Sequence, residues 1–100
     1  MKNQAYRMTM LFDFYGDLLT DRQKEFYDLY YNEDLSLSEI AEQSGISRQG
    51  VWDNIRRAEA TLRELEEKTG LVRRVMELER ELEETREELR RVKAGTGGRA

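Results

Sequence analysis

Apolar residues crowd the first part of the chain. Between residues 6 and 19 they are Tyr6, Met8, Met10, Leu11, Phe12, Phe14, Tyr15, Leu18 and Leu19. Taken as one helix, they cover more than one face. A helix apolar most of the way round is buried on several sides. In a chain of 100 residues that predicts a subunit contact. Thr20 and Gln23 match a capping box, which starts a second helix. Phe26, Leu29 and Tyr30 form its inner stripe, and Asn32 favours a turn at about 31–34. A third helix is expected over about 36–43, with Ile40 and Ala41 inward.

From Ser47 onward, Val51, Ile55, Ala58, Leu62 and Leu65 step by four and three and keep one apolar edge. Between these last two helices, Gly45 stands where a tight turn needs a residue tolerant of positive φ. Ile46 plugs that turn, and Ser47 caps the helix that follows. Val51 and Ile55 then face back onto the third helix. Helix, glycine turn, capped helix: this pattern reads as a helix-turn-helix, the module that lays its second helix in the DNA major groove.

Thr69-Gly70 ends the long helix, because glycine is favoured just past a helix C-terminus. The next helix, over 71–93, carries a heptad of Leu71, Val75, Leu78, Leu82, Thr85, Leu89 and Val92, with Thr85 its polar interruption. With Val75, Leu82 and Leu89 at a, a parallel dimer pairs Arg74 with Glu79, Glu81 with Arg86 and Glu88 with Lys93. All three pairs are of opposite sign, which favours a parallel homodimeric coil. The same stripe also fits a helix folded back on its own domain. Residues 94–100 are glycine-rich and read as a disordered tail. The domain organisation expected is a helical domain over 1–69, a C-terminal helix over 71–93 and that tail.

Composition narrows the chemistry. Proline is absent and 38% of residues are charged, so an all-α protein is the expected class. With no Cys and no His, there is no thiolate nucleophile, no imidazole base and no zinc-type ligand set. The acidic run of Glu83, Glu84, Glu87 and Glu88 alternates with Arg86, Arg90 and Arg91 at helical spacing, so solvated pairs account for it. Gly95, Gly97 and Gly98 lack the strand and helix of a phosphate loop. An enzyme is not expected, nor a cofactor or metal. No signal or membrane-spanning pattern is present, and lack of cysteine fits the cytoplasm.

Charge complicates the nucleic-acid reading. The net charge is −4, and residues 37–62 carry three basic and four acidic side chains. Phosphate neutralisation supplies most non-specific affinity for DNA. The candidate contacts are Arg48 and Gln49 in the first turn of the second helix, then Trp52, Arg56 and Arg57, each of which also fits a solvated surface side chain. Arg pairs bidentately with guanine and Gln with adenine, while Arg56 and Arg57 reach phosphates. Trp52 points partly away from the core and suits a protein or RNA partner, or packing on its own domain. Asp53 on the same face repels phosphate.

Two resemblances follow from these residues. Leu19-Thr20 with Arg22-Gln23, then Leu37, Glu39-Ile40-Ala41, Gly45-Ile46-Ser47, Val51, Arg57-Ala58 and Leu62, resemble the promoter-binding region 4 of sigma factors. The chain has no room for the promoter-melting, polymerase-docking domain of a complete sigma factor. Met10 to Tyr15, Leu18-Leu19-Thr20, the segment from Leu37 to Glu42 and the segment from Ser47 to Ile55 are more closely similar to the YlxM family of small bacterial helix-turn-helix proteins. Members more often carry Ala and Tyr where this chain has Gly50 and Trp52. The resemblance implies a gene neighbourhood with the signal recognition particle GTPases and a regulatory part in that pathway. It implies DNA, or RNA, as ligand and particle components as partners. The alternative is an adaptor that uses the helix-turn-helix as a scaffold for protein contacts.

Overall fold

The computed structural model describes residues 2–97, and side chains over 6–95. Among the described residues there are five α-helices and one 3₁₀ turn, and no strand. The helices are α1 (Lys2–Tyr15), α2 (Asp21–Tyr31), α3 (Leu37–Ser44), α4 (Arg48–Thr69) and α5 (Leu71–Gly97). The chain divides into two units, Met1–Thr69 and Gly70–Ala100.

Local chemistry sets most boundaries of the first unit. The expected first helix over 6–19 is shorter at its C-terminal end: α1 stops at Tyr15, and Gly16–Leu18 form the 3₁₀ turn. Leu19 is then extended, which releases the chain into the Thr20 cap. Thr20 and Gln23 make both hydrogen bonds of the capping box, at 3.1 Å each. A second capping box, not anticipated, opens α3: Ser36 Oγ accepts from the Glu39 amide at 3.1 Å, and Glu39 accepts from the Ser36 amide at 3.0 Å. These reciprocal bonds satisfy donors that the helix leaves orphaned. Between α2 and α3, Asp34 adopts a positive φ of 57°, and the Leu35 amide bonds to the Leu29 carbonyl at 3.0 Å.

α4 is the spine of the first unit, since α1, α2 and α3 all pack on it. Its buried edge is Val51, Ile55, Ala58, Leu62 and Glu66. The last step corrects the expected apolar edge, which ran to Leu65. At 100° per residue Leu65 and Glu66 flank that edge about equally, one on each side, and packing turns Glu66 inward and leaves Leu65 half-buried. Tyr15 on α1 donates its hydroxyl to Glu66 Oε1 at 2.8 Å and is also hydrogen-bonded to Thr69 Oγ1. The pairing meets the need for a hydrogen-bond partner at a buried carboxylate. Phe26, Ile40, Ala41, Val51 and Ile55 make the core beneath the turn, with Leu29, Tyr30, Leu35, Leu37, Ile46 and Trp52 packed on it. The crowded apolar faces of α1 are only partly used: Leu11 and Tyr15 are buried, whereas Tyr6 and Phe14 stay exposed. Tyr27 is a core residue outside the expected stripe of α2, and Phe12 stacks on it at 4.7 Å.

Among the described residues, the second unit holds a single helix. α5 runs through Gly97, beyond the expected end at Lys93, so residues 94–97 extend the helix rather than starting the tail. Each added residue gains a hydrogen bond, while a glycine costs only about 1 kcal/mol against alanine. Residues 98–100 of the expected tail lie outside the described residues. Leu78, Leu82, Leu89 and Val92 are exposed along one stripe. The Thr85 hydroxyl, which interrupts that stripe, donates back to the Glu81 carbonyl at 2.8 Å.

Candidate nucleic-acid interface

The site is built around the turn between α3 and α4. Gly45 closes α3 in the left-handed region, φ 70° and ψ 25°. Ser47 Oγ then accepts from the Gly50 amide at 3.0 Å and caps α4. The first turn of α4 holds no acid. The positive end of its helix dipole therefore faces solvent without a neutralising carboxylate.

Arg48, Gln49 and Trp52 come together here. With Tyr30 of α2 and Leu37 of α3 they line an open cleft of about 560 Å³. Trp52 is half-buried and serves two surfaces. Part of its ring packs on the core, and the rest lines the cleft. Tyr30 meets it edge to face, with centroids 6.0 Å apart and planes at 64°. The contact continues an aromatic chain through Tyr31 and Tyr27 to Phe12. No apolar periodicity announces this chain, because its rings come from three helices.

The other expected contacts divide. Arg56 lies one turn past Trp52, two turns past Arg48, on the same side of α4. Arg57 is about 100° further round the helix and does not join that strip. Gln49 is not idle: its Nε2 donates to Asp53 Oδ1 at 3.0 Å. That bond uses one of the two amide hydrogens and leaves the other, with the carbonyl, for a base edge. The same bond engages Asp53, the acid that works against phosphate on this face. Arg48, Arg56 and Arg57 have no carboxylate partner among the described residues, unlike Lys24 with Asp17 or Lys68 with Glu64. The sequence pattern pointed to Arg48, Gln49 and Trp52 but not to Tyr30 or Leu37. Those two read only as core stripe and helix start.

Electrostatic shifts lie elsewhere. Burial, reinforced by the Glu59 charge, pushes the Tyr27 hydroxyl up to about 12. Tyr31 is raised by burial and by its hydrogen bond to Glu59. Both rings thus stay neutral at physiological pH. Among the described residues, no cluster of three or more acidic side chains is arranged to hold a metal ion. Among them, too, no helix is long and apolar enough to cross a membrane.

A glycine turn, a capped second helix and an arginine-bearing face define a helix-turn-helix protein. Comparison with known proteins agrees. The family model UPF0122, described as "Putative helix-turn-helix protein, YlxM / p13 like", matches residues 2–95, and the chain belongs to this family. A UPF0122 protein of Thermoanaerobacter sp. (strain X514) is 54% identical over 76 residues, which is 76% of this chain and 65% of that relative. One from Caldanaerobacter subterraneus subsp. tengcongensis is 48% identical over 87 residues, 87% of this chain and 74% of the relative. One from Bacillus cereus (strain AH187) is 51% identical over 80 residues, 80% of this chain and 73% of the relative. The matches thus span about two thirds to three quarters of the relatives' own length.

Proposed function

We propose that the chain is a non-enzymatic regulatory protein of the cytoplasm that binds DNA or RNA through Arg48, Gln49, Trp52 and Arg56, with Arg57 on flanking phosphate. The carrying observation is the strip of Arg48, Trp52 and Arg56 on one side of a capped α4, its arginines held by no carboxylate among the described residues. Family membership supports the same reading. The resemblance described above supports a place in the signal recognition particle pathway, with particle components as partners.

The protein acts as a homodimer joined along α5. The exposed stripe of Leu78, Leu82, Leu89 and Val92 and the opposite-signed e and g pairs support this. Glu81, Arg86, Glu88 and Lys93 hold no ion pair within their own chain among the described residues. Arg74, by contrast, is bound to Glu77 at 3.3 Å and exchanges that partner on dimerisation.

The test is a titration of the full chain with DNA and with particle RNA at several salt concentrations. Binding is expected to weaken linearly in log–log form as salt rises. Arg48→Ala and Arg56→Ala are each expected to lower the slope by roughly 0.7–0.9. Absence of binding to both at low salt leaves the adaptor reading in its place.

A further inference from the structure

The cleft at the head of α4 is an odd feature for a helix that reads a duplex. A duplex presents base edges in its grooves, and polar side chains read them. Here the position one turn into the helix is an indole, and the neighbouring amide of Gln49 is tied to Asp53. What the cleft offers is aromatic surface. We infer that the cleft of Tyr30, Leu37, Arg48, Gln49 and Trp52 holds one unstacked base of a single-stranded nucleic acid. This inference rests on the nucleic-acid-binding reading and names its substrate class.

Each component of a nucleotide finds a matching group. The cleft, about 560 Å³ and open to solvent, has room for a base laid against one wall. A planar base needs a π-face. The Trp52 and Tyr30 planes stand at 64°, so neither ring covers the other in a parallel stack. A base lying on the indole has Tyr30 as a side wall and Leu37 as an apolar margin. The adjoining phosphate needs a cation. Arg48 is exposed at the rim and has no carboxylate partner among the described residues. Gln49 supplies an amide carbonyl toward a base edge while its NH₂ stays on Asp53. Because any base has a π-face, such a platform is tolerant of sequence.

Charge favours a single strand over a duplex as well. With a net charge of −4, the protein is poorly suited to neutralising many phosphates at once. A strand held by one stacked base and one or two arginines needs few.

Trp52 is the chain's only tryptophan, so its fluorescence reports on this cleft alone. The experiment titrates the full chain with a 12-nucleotide single-stranded RNA, the same sequence as single-stranded DNA, and the blunt duplex. Binding is followed in parallel by anisotropy of end-labelled strands. Saturable quenching by one or both single strands, at least tenfold tighter than the duplex, is expected, and the RNA and DNA arms identify the strand preferred. Trp52→Ala is expected to weaken anisotropy-detected binding roughly 5- to 150-fold, the range for one stacked base. Trp52→Phe, which keeps an aromatic face and the core contact, is expected to retain most of it. Arg48→Ala, at an exposed position, is expected to lower the salt slope by about 0.7 without altering the fold. Duplex binding equal to or tighter than single-strand binding overturns the base pocket and leaves the broader reading standing. Single-strand binding that neither quenches Trp52 nor responds to Trp52→Ala overturns it too. No binding of any strand overturns both.

Discussion

Glycine stands at two positions of the helix-turn-helix with opposite consequences. Gly45 has a φ of 70° and nothing within 4 Å of where a Cβ would sit. The cost of Gly45→Ala is therefore purely conformational, about 1–2 kcal/mol, and thermal unfolding should show a lowered Tm. Gly50 is helical, and its Cβ would meet Ser47 Oγ at 3.2 Å and Ile46 Cδ1 at 3.4 Å. Both neighbours need yield only a few tenths of an ångström. Helix propensity then wins, and Gly50→Ala should stabilise by up to about 1 kcal/mol, seen as a raised Tm. Glu39 gives a residue-level pH signature. Hydrogen bonds from the Ser36 backbone, then from its side chain, hold the Glu39 carboxyl below its usual range. Its contribution is present above the ordinary glutamate pKa and fades as pH falls through the lowered folded value. An NMR titration should find Glu39 ionising below a free glutamate, and Ser36→Ala should move it back up.

At the scale of elements, α1 is tied to α4 by a bond that no periodicity shows. Tyr15 reaches Glu66 across a separation of 51 residues. Tyr15→Phe removes one donor from a buried carboxylate and should cost about 1–3 kcal/mol. Glu66→Gln and Tyr15→Phe share that contact, so their effects in denaturant unfolding should add to less than the sum of the two singles. Much of the element pattern was legible beforehand. Thr20–Gln23, Gly45, Ser47 and the Val51–Ile55–Ala58–Leu62 edge carry short-range rules that sequence displays directly. The failures have physical causes. The Ser36–Glu39 box lies where two serines and two leucines alternate, so the pattern alone also admits a helix start at Ser36, one residue before the observed Leu37. Glu66 does not stand out in the pattern, because a charge is expected outside. The hydroxyl of a distant tyrosine helps make its inward position tenable.

For the whole molecule, the exposed stripe of α5 and its e and g charges set the predicted assembly. Leu82 and Leu89 are about half exposed, at 50% and 51%, so changing them does not remove a core contact. Leu82→Lys in the full chain should shift sedimentation toward the monomer. Arg86→Glu turns an attractive pair into a repulsive one at two symmetric places and should weaken the dimer several-fold to about tenfold. Glu81→Arg added to Arg86→Glu restores opposite signs and should recover the dimer. A dimer untouched by both Leu82→Lys and Arg86→Glu would rule out the parallel coil along this stripe.

Helix number, caps, turn and the arginines of α4 follow from rules that act within about four residues: hydrogen bonding of orphan amides, the φ freedom of glycine and the 3.6-residue period. A reader of the chain alone reaches the helix-turn-helix by these. The cleft is different in kind. Tyr30 is 22 residues from Trp52 in the chain and meets it at 6.0 Å. Leu37 comes from a third helix. Their meeting depends on how α2 and α3 pack on α4, and packing geometry between helices leaves no local periodic trace in the chain. The binding face was thus visible as a row of residues, and its shape as an aromatic hollow appeared only when three helices were brought together.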